Sequence, residues 1–107
     1  MTPEDKFKNK IIRKLKEFGG YWIVVPRSRY TASGKPDIIG CYEGKFFGIE
    51  VKRPDGVGSY GVTALQLQNL KEIDSNGGHA YVVDNEAALK DLLKEVERLG
   101  RMQYHSI

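Results

Sequence analysis

The most constraining feature of this sequence is a pair of strand-like segments separated by only two residues. Asp37–Tyr42 and Lys45–Lys52 are rich in β-branched and aromatic side chains, and only Glu43 and Gly44 stand between them. A two-residue connection joins neighbouring antiparallel strands in a tight hairpin. The sequence therefore predicts a β-hairpin with a fixed register.

The register of this hairpin places two carboxylates together. Counted from the turn, Tyr42 pairs with Lys45 and Asp37 pairs with Glu50. Directly paired residues share one face of the sheet, with Cβ atoms about 4.5–5.5 Å apart. Because side chains alternate along a strand, Lys52 shares that face with Glu50. We therefore expect two acids and one lysine at the same end of the hairpin.

Two carboxylates at this distance repel each other unless a cation lies between them. Mg²⁺, with Mn²⁺ as a substitute, prefers oxygen ligands, which Asp37, Glu50 and the backbone carbonyl of Val51 would supply. Lys52 beside a metal ion is useful only if an anion such as a phosphodiester also binds there, where the ammonium can orient the nucleophile or stabilise developing charge. The alternative is a charged hairpin edge that only protects against aggregation.

Apolar periodicity and turn residues predict the rest of the fold. The expected order is α-β-β-β-α-β-α, with a helix from Thr2 to Phe18, a strand at Tyr21–Val25, the two hairpin strands, a helix at about Thr63–Ser75, a strand at Ala80–Val83 and a helix at Asn85–Leu99. The strand at Ala80 needs the preceding helix as a crossover, which predicts an α/β fold with a mixed sheet flanked by helices. Residues after Gly100 are expected to fray.

Length and composition narrow the class of protein. We expect residues 1–107 to form a single domain. With 40% hydrophobic residues, no membrane-crossing run and no apolar signal segment, the chain is predicted to be a soluble, cytoplasmic protein without a membrane partner. Its one cysteine, Cys41, and two histidines cannot complete a zinc cage, so any metal must be held by oxygen.

The net charge of +3 permits an anionic partner. Basic residues surround the predicted acids in the sequence, and we expect four of them to contact nucleic-acid phosphates: Arg27, Arg29, Lys35 and Arg53. The first three belong to a polar segment, 27–36, that is rich in turn formers and predicted to be an exposed loop.

Two strings in and around the hairpin, G-K-P-D-I-I-G and F-F-G-I-E-V-K-R-P, resemble the core of the PD-(D/E)xK nuclease superfamily. The closest resemblance is to its virus-type replication-repair nuclease branch, the VRR-NUC domain. It extends to Glu4 in the opening helix, the Gly-Gly-aromatic turn at Gly19, the string T-A-L-Q-L-Q-N-L and the following G-G-H-A-Y-V-V-D. It covers Thr2 to about Leu99.

This resemblance implies a restriction-endonuclease-like fold and a metal-dependent DNA endonuclease. Asp37 and Glu50 would be the metal-binding acids, Lys52 the catalytic lysine, Gln66 the glutamine of the helix after the motif, and Glu4 an additional catalytic and metal-binding acid. Glu4 could instead only favour the N-terminus of its helix. Gln66 could be an ordinary surface residue, because the neighbouring Gln68 leaves the helical register open.

The resemblance also implies a biological setting. Free-standing members of this branch resemble junction-resolving enzymes that act as homodimers. We therefore expect a homodimer that acts on branched or Holliday-junction DNA in phage or bacterial replication, recombination or repair, in the cytoplasm of a bacterial or phage-infected host cell.

Two other functions compete with the nuclease. A non-catalytic nucleic-acid-binding module would use Arg27, Arg29, Tyr30 and Lys35 for phosphate and stacking contacts. A dinucleotide-binding protein is suggested by the G-x-G-x-x-G spacing of 56–61, with Asp84 after the next strand. The string K-R-P-D of 52–55 stands between the apolar part of the strand and the first glycine, which does not fit the tight turn of such a fingerprint.

Overall fold

A computed structural model describes residues 2–26, 34–55 and 61–105. Its elements are α1 (Pro3–Phe18), β1 (Tyr21–Val24), β2 (Ile38–Tyr42), β3 (Lys45–Val51), α2 (Ala64–Ser75), β4 (His79–Val83) and α3 (Glu86–His105). The predicted order of helices and strands is confirmed.

Local sequence determines both ends of α1. The Thr2 hydroxyl accepts a hydrogen bond from the Asp5 amide at 3.1 Å, and the Asp5 carboxylate accepts one from the Thr2 amide at 3.3 Å. This reciprocal capping box satisfies donors that the first helical turn leaves unpaired. The helix ends before Gly19 and Gly20, whose φ angles of +99° and +86° favour glycine. The position of α1 is therefore fixed close to the start of β1.

The four strands form one mixed sheet in the order β1-β2-β3-β4. β1 pairs antiparallel with β2, and β2 pairs antiparallel with β3. β4 lies parallel to β3, and α2 makes the connection that a parallel pair requires. This confirms the predicted crossover.

The β2–β3 turn has the predicted register. Tyr42 pairs with Lys45, and Glu43 and Gly44 have positive φ angles of 51° and 75°. Positive φ at both central residues is typical of the type I′ turn, whose twist matches that of the flanking strands.

At the other end of the hairpin, the last assigned pair is Ile38 with Ile49. Asp37 and Lys52 lie just outside β2 and β3, so the predicted strands are each one residue too long at this end. Lys52 donates its amide hydrogen to Val83 of β4 instead of to β2. One further step of the antiparallel register sets Asp37 opposite Glu50, as the sequence predicts.

The two faces of the sheet are covered differently. Alternate residues of β3 point towards α1 and α3 and belong to the main core, which includes Phe47, Ile49, Val51, Ile11, Leu15, Leu92 and Val96. Gly48 lies on the opposite face, where a Cβ would come 2.5 Å from Ile73 of α2. The Glu50 side chain therefore points to the same face as position 48, the face that α2 partly covers.

The predicted end of the last helix is wrong. α3 continues through Gly100 to His105 instead of ending at Leu99. Gly100 lies inside the helix, and its missing side chain makes room for Tyr42, whose hydroxyl would lie 2.5 Å from a Cβ at this position. A tertiary contact thus explains the glycine.

No helix within the three described ranges is both long and apolar enough to span a membrane.

Candidate active site

The Asp37 carboxylate is held at both of its oxygens. Its Oδ2 accepts a hydrogen bond from the Val51 amide at 2.8 Å, and its Oδ1 lies 3.3 Å from the Lys8 Nζ. The side chain is only 4% exposed. An acid this deeply buried is ionised only where such partners compensate the lost hydration. Asp37 is therefore fixed against the end of β3.

Glu50 is buried even more completely, at 1% exposure. Its Oε1 accepts a hydrogen bond from the Gln66 Nε2 at 3.1 Å and lies 3.7 Å from the Lys52 Nζ. The charged group of Glu50 thus sits between an amide of α2 and an ammonium from the end of its own strand.

Asp37 and Glu50 line the same cleft, together with Lys35, Gln66 and the segment 25–26. Pro36 also contributes to its wall. The two acids therefore lie on one side of the sheet, as the hairpin register requires. The cleft has a volume of about 60 Å³, enough for an ion with a few waters.

Gln66 connects α2 to Glu50 and to Lys52. Its Oε1 accepts hydrogen bonds from the Lys52 Nζ at 3.0 Å and from the Thr63 backbone amide at 2.9 Å. The Gln66 backbone amide donates to the Thr63 hydroxyl at 3.1 Å. Gln66 is thus the third helical residue of a capping box and also part of the site. Gln68 faces away and bonds to Glu72, which resolves the ambiguity between the two glutamines.

The donor atoms at the cleft suit a hard divalent cation. Amide and carbonyl of one strand residue face the same side of the strand. Because the Val51 amide faces Asp37, the Val51 carbonyl is directed to that side as well. Two carboxylates and one carbonyl are the oxygen ligands that Mg²⁺ takes alongside water and phosphate. Among the described residues, no group of three His, Cys, Asp or Glu side chains is arranged to hold a metal.

Glu4 lies in the first turn of α1 and is not among the residues that line the cleft. The residue that α1 brings to Asp37 is Lys8, one turn later on the same side of the helix. The metal-binding role of Glu4 stays a prediction. Sequence analysis missed Lys8, although its position beside the buried Phe7 and Ile11 is unusual for a lysine.

The predicted phosphate-contacting residues differ in position. Lys35 is exposed and lines the cleft. Arg53 forms two hydrogen bonds with Asp55, at 3.1 and 2.8 Å, so its guanidinium is already occupied by a carboxylate. Arg27, Arg29 and Tyr30 lie outside the described residues, as do the first five positions, 56–60, of the glycine motif.

A larger groove, of about 470 Å³, runs along the outer face of α2 and is lined in part by Leu67, Lys71 and Glu72. Among the described residues that line it, Glu72 is the one carboxylate, so they do not supply the pair of acids that the smaller cleft has. The chemistry of the side chains favours the smaller cleft as the active site.

The double role of Gln66 predicts a measurable effect on folding. Gln66→Ala removes three side-chain hydrogen bonds, one of which is the capping bond from the Thr63 amide, so we expect the free energy of unfolding to fall by about 1–2 kcal/mol. Gln68→Ala, two residues away on the exposed face, should change it by less than about 0.5 kcal/mol. Chemical denaturation followed by circular dichroism measures both variants. Equal effects would contradict the assignment of Gln66 to the buried network.

Comparisons with known proteins agree with this description of the fold. Neither a protein-family model nor a curated protein matches the sequence. One solved structure described as "VRR_NUC domain" matches with a TM-score of 0.69 and 20% sequence identity, over 88% of this chain and 97% of the other. The chain therefore has the mixed α/β fold of a VRR_NUC domain.

Proposed function

We propose that this protein is a metal-dependent nuclease that hydrolyses phosphodiester bonds in DNA. The observation that carries the proposal is the meeting of two buried carboxylates, Asp37 and Glu50, at one cleft beside the Lys52 ammonium. The VRR_NUC fold supports it, because that fold is named for nucleases.

Asp37, Glu50 and the carbonyl of Val51 would hold Mg²⁺, or Mn²⁺ in its place. Glu4 is retained as a proposed additional ligand. When bound, such an ion supplies Lewis-acid activation of a phosphoryl oxygen and of water. The protein contributes a fixed, nearly dry set of oxygen ligands, since the Val51 amide and Gln66 hold the two carboxylates in place.

Lys52 is the residue best placed to act on the substrate. An ammonium has three donors. One of them is used by Gln66, and Glu50 lies near at 3.7 Å. With its side chain 16% exposed, Lys52 can still donate to a phosphate oxygen entering the cleft. A positive charge held in this way stabilises the negative charge that develops on the phosphate in the transition state.

The overall reaction needs no other co-substrate than water. The water oxygen forms a new bond to phosphorus while one ester P–O bond breaks. One proton of the water is released to solvent, and the leaving oxygen takes up a proton to become a hydroxyl group. Lys52 would donate a hydrogen bond that stabilises the negative charge on the phosphate, and Lys35 at the rim of the cleft adds attraction for the DNA backbone.

A module that only binds nucleic acid is less consistent with the site. Two carboxylates beside a phosphate-binding lysine oppose DNA binding unless a cation neutralises them. Burial of the two carboxylates also lowers the stability of the fold. A protein that only bound nucleic acid would be more stable with neutral residues at these positions. The acids are useful where metal and phosphate bind together.

The proposal extends to substrate and assembly. We infer a homodimer that cuts branched DNA of the Holliday-junction type, because one small site cuts one strand and a two-fold pair can cut two strands symmetrically. Such an enzyme would act in phage or bacterial DNA replication, recombination or repair, in the cytoplasm of a bacterial or phage-infected host cell.

The proposed role of the two acids can be tested with substitutions that keep the shape of each side chain and remove its charge. Asp37→Asn and Glu50→Gln should each abolish Mg²⁺-dependent cleavage of DNA, because each removes a charged ligand. Glu43→Gln, in the exposed turn at the other end of the hairpin, should cleave normally. The measurement is a gel assay of labelled DNA, with circular dichroism to show that all three variants fold. Full activity in either site variant would refute the assignment.

Lys52→Met should lower the turnover number by about 10²–10³ while leaving the Mg²⁺ concentration for half-maximal rate within a few-fold of its original value. The reason is that Lys52 acts on the phosphate and not on the metal. Lys45→Met, at the start of the same strand and exposed, is the matched control. A large rise in the Mg²⁺ requirement of Lys52→Met, with turnover retained, would argue against this role.

The choice of substrate can be measured with a panel of four-way junction, flap, nicked, linear duplex and single-stranded DNA in Mg²⁺ and Mn²⁺. We expect the junction to be cut fastest, with symmetric nicks in two strands, and light scattering to give twice the mass of one chain. Binding without cleavage under all conditions would support the non-catalytic module. A monomer that cuts linear duplex equally fast would overturn the junction and dimer proposals.

A further inference from the structure

Lys8 is a buried cation that the proposed reaction does not use. Its side chain is 9% exposed, and its Nζ lies 3.3 Å from the Asp37 Oδ1. It extends from the buried side of α1, which also presents Phe7, Ile11 and Leu15. Removing an ammonium from water is costly unless a carboxylate compensates it. The contact with Asp37 therefore compensates for the burial of Lys8, and the Asp5 carboxylate on the same helix also attracts it.

The position of Lys8 brings it into conflict with a metal ion. Mg²⁺ binds carboxylate oxygens at about 2.1 Å, so an ion on the Asp37 Oδ1 would lie within about 5.4 Å of the Lys8 Nζ as it stands. Like charges this close, and this far from bulk water, repel strongly. Both cations compete for the same negative charge.

We propose that Lys8 is an internal counter-cation: it neutralises Asp37 when no divalent ion is bound and weakens metal binding by its charge. This inference rests on the proposed metal site. Without Lys8, the metal-free protein would hold Asp37 next to Glu50 with less positive charge to balance them. With it, the site keeps its shape before the metal arrives, at the cost of some metal affinity.

The chemistry of lysine suits this role. Its charge sits at the end of four flexible methylene groups, so the ammonium can move aside while the backbone of α1 stays in place. That backbone is fixed at its start by the capping box of Thr2 and Asp5 and by packing of Ile11 and Leu15 in the core. A movement of Lys8 therefore does not require the helix to move.

The test measures metal binding without DNA. We compare the wild-type protein with Lys8→Met, which keeps the apolar stem, and with Lys8→Gln, which keeps polarity without charge. Lys6→Met, on the exposed side of the same helix, is the control. Mn²⁺ affinity is measured by electron paramagnetic resonance and calorimetry, and thermal unfolding is recorded with and without Mg²⁺.

We expect both Lys8 variants to bind Mn²⁺ about tenfold more tightly than the wild type, the change expected when one nearby positive charge is removed. They should unfold at a lower temperature without metal and gain more from added Mg²⁺ than the wild type does. Lys6→Met should match the wild type in both measurements. If Lys8→Met does not fold, the affinity of Lys8→Gln decides.

Unchanged or weaker Mn²⁺ binding in the Lys8 variants would overturn the inference, since it would mean that Lys8 only supports the fold or holds Asp37 ready for the metal. An equal gain in Lys6→Met would overturn it too, by assigning the effect to net charge. If the wild type binds metal and cleaves DNA in these cases, the proposed function stands. If the wild type does not bind Mn²⁺, or if Asp37→Asn binds it equally well, both the proposed metal site and the role of Lys8 are refuted.

Discussion

Asp37 directly precedes β2 and Glu50 lies in β3, and the register of the β2–β3 hairpin brings them to the same face of the sheet. A slip of one residue would turn Asp37 to the opposite face, towards the core formed with α1 and α3. The register is set at the far end of the hairpin, where Glu43 and Gly44 adopt positive φ angles that suit a two-residue turn. The chemistry at one end of the hairpin thus depends on backbone geometry at the other.

The site also depends on a balance of charge. Two nearly buried carboxylates are surrounded by three lysines, Lys8, Lys35 and Lys52. Each comes from a different part of the chain: the first helix, the segment before β2 and the end of β3. The side chains around the cleft therefore supply positive charge that compensates the two carboxylates. In the proposed reaction, a phosphate and a divalent cation that enter together would leave that balance favourable, whereas either ion alone would disturb it.

Sequence reasoning succeeded where the determining interaction is local. The hairpin register follows from two turn residues, and the start of α1 follows from Thr2, Pro3 and Asp5. It failed where a distant contact decides. Gly100 reads as a helix end, but it lies inside α3, and Tyr42 occupies the space that a side chain at this position would need. Lys8 reads as a surface lysine, because its partner Asp37 is far away in the sequence.

Gln66 was an intermediate case. Its role could be chosen over that of Gln68 only once the first residue of α2 was known, because a shift of two residues turns a helical side chain to another face. The capping pattern at Thr63 contained that information, since the third helical residue reaches back to the residue before the helix.

The two contacts of Gln66 limit which amino acid can occupy this position. Glutamate can take the place of glutamine in a capping box. Here it would lack the N–H that glutamine donates to Glu50, and it would add a third negative charge to a buried pair. Asparagine has the amide but is one methylene shorter, so it cannot span from Thr63 to Glu50 in the same way. Of these three amino acids, only glutamine both completes the capping box with Thr63 and donates a hydrogen bond to Glu50.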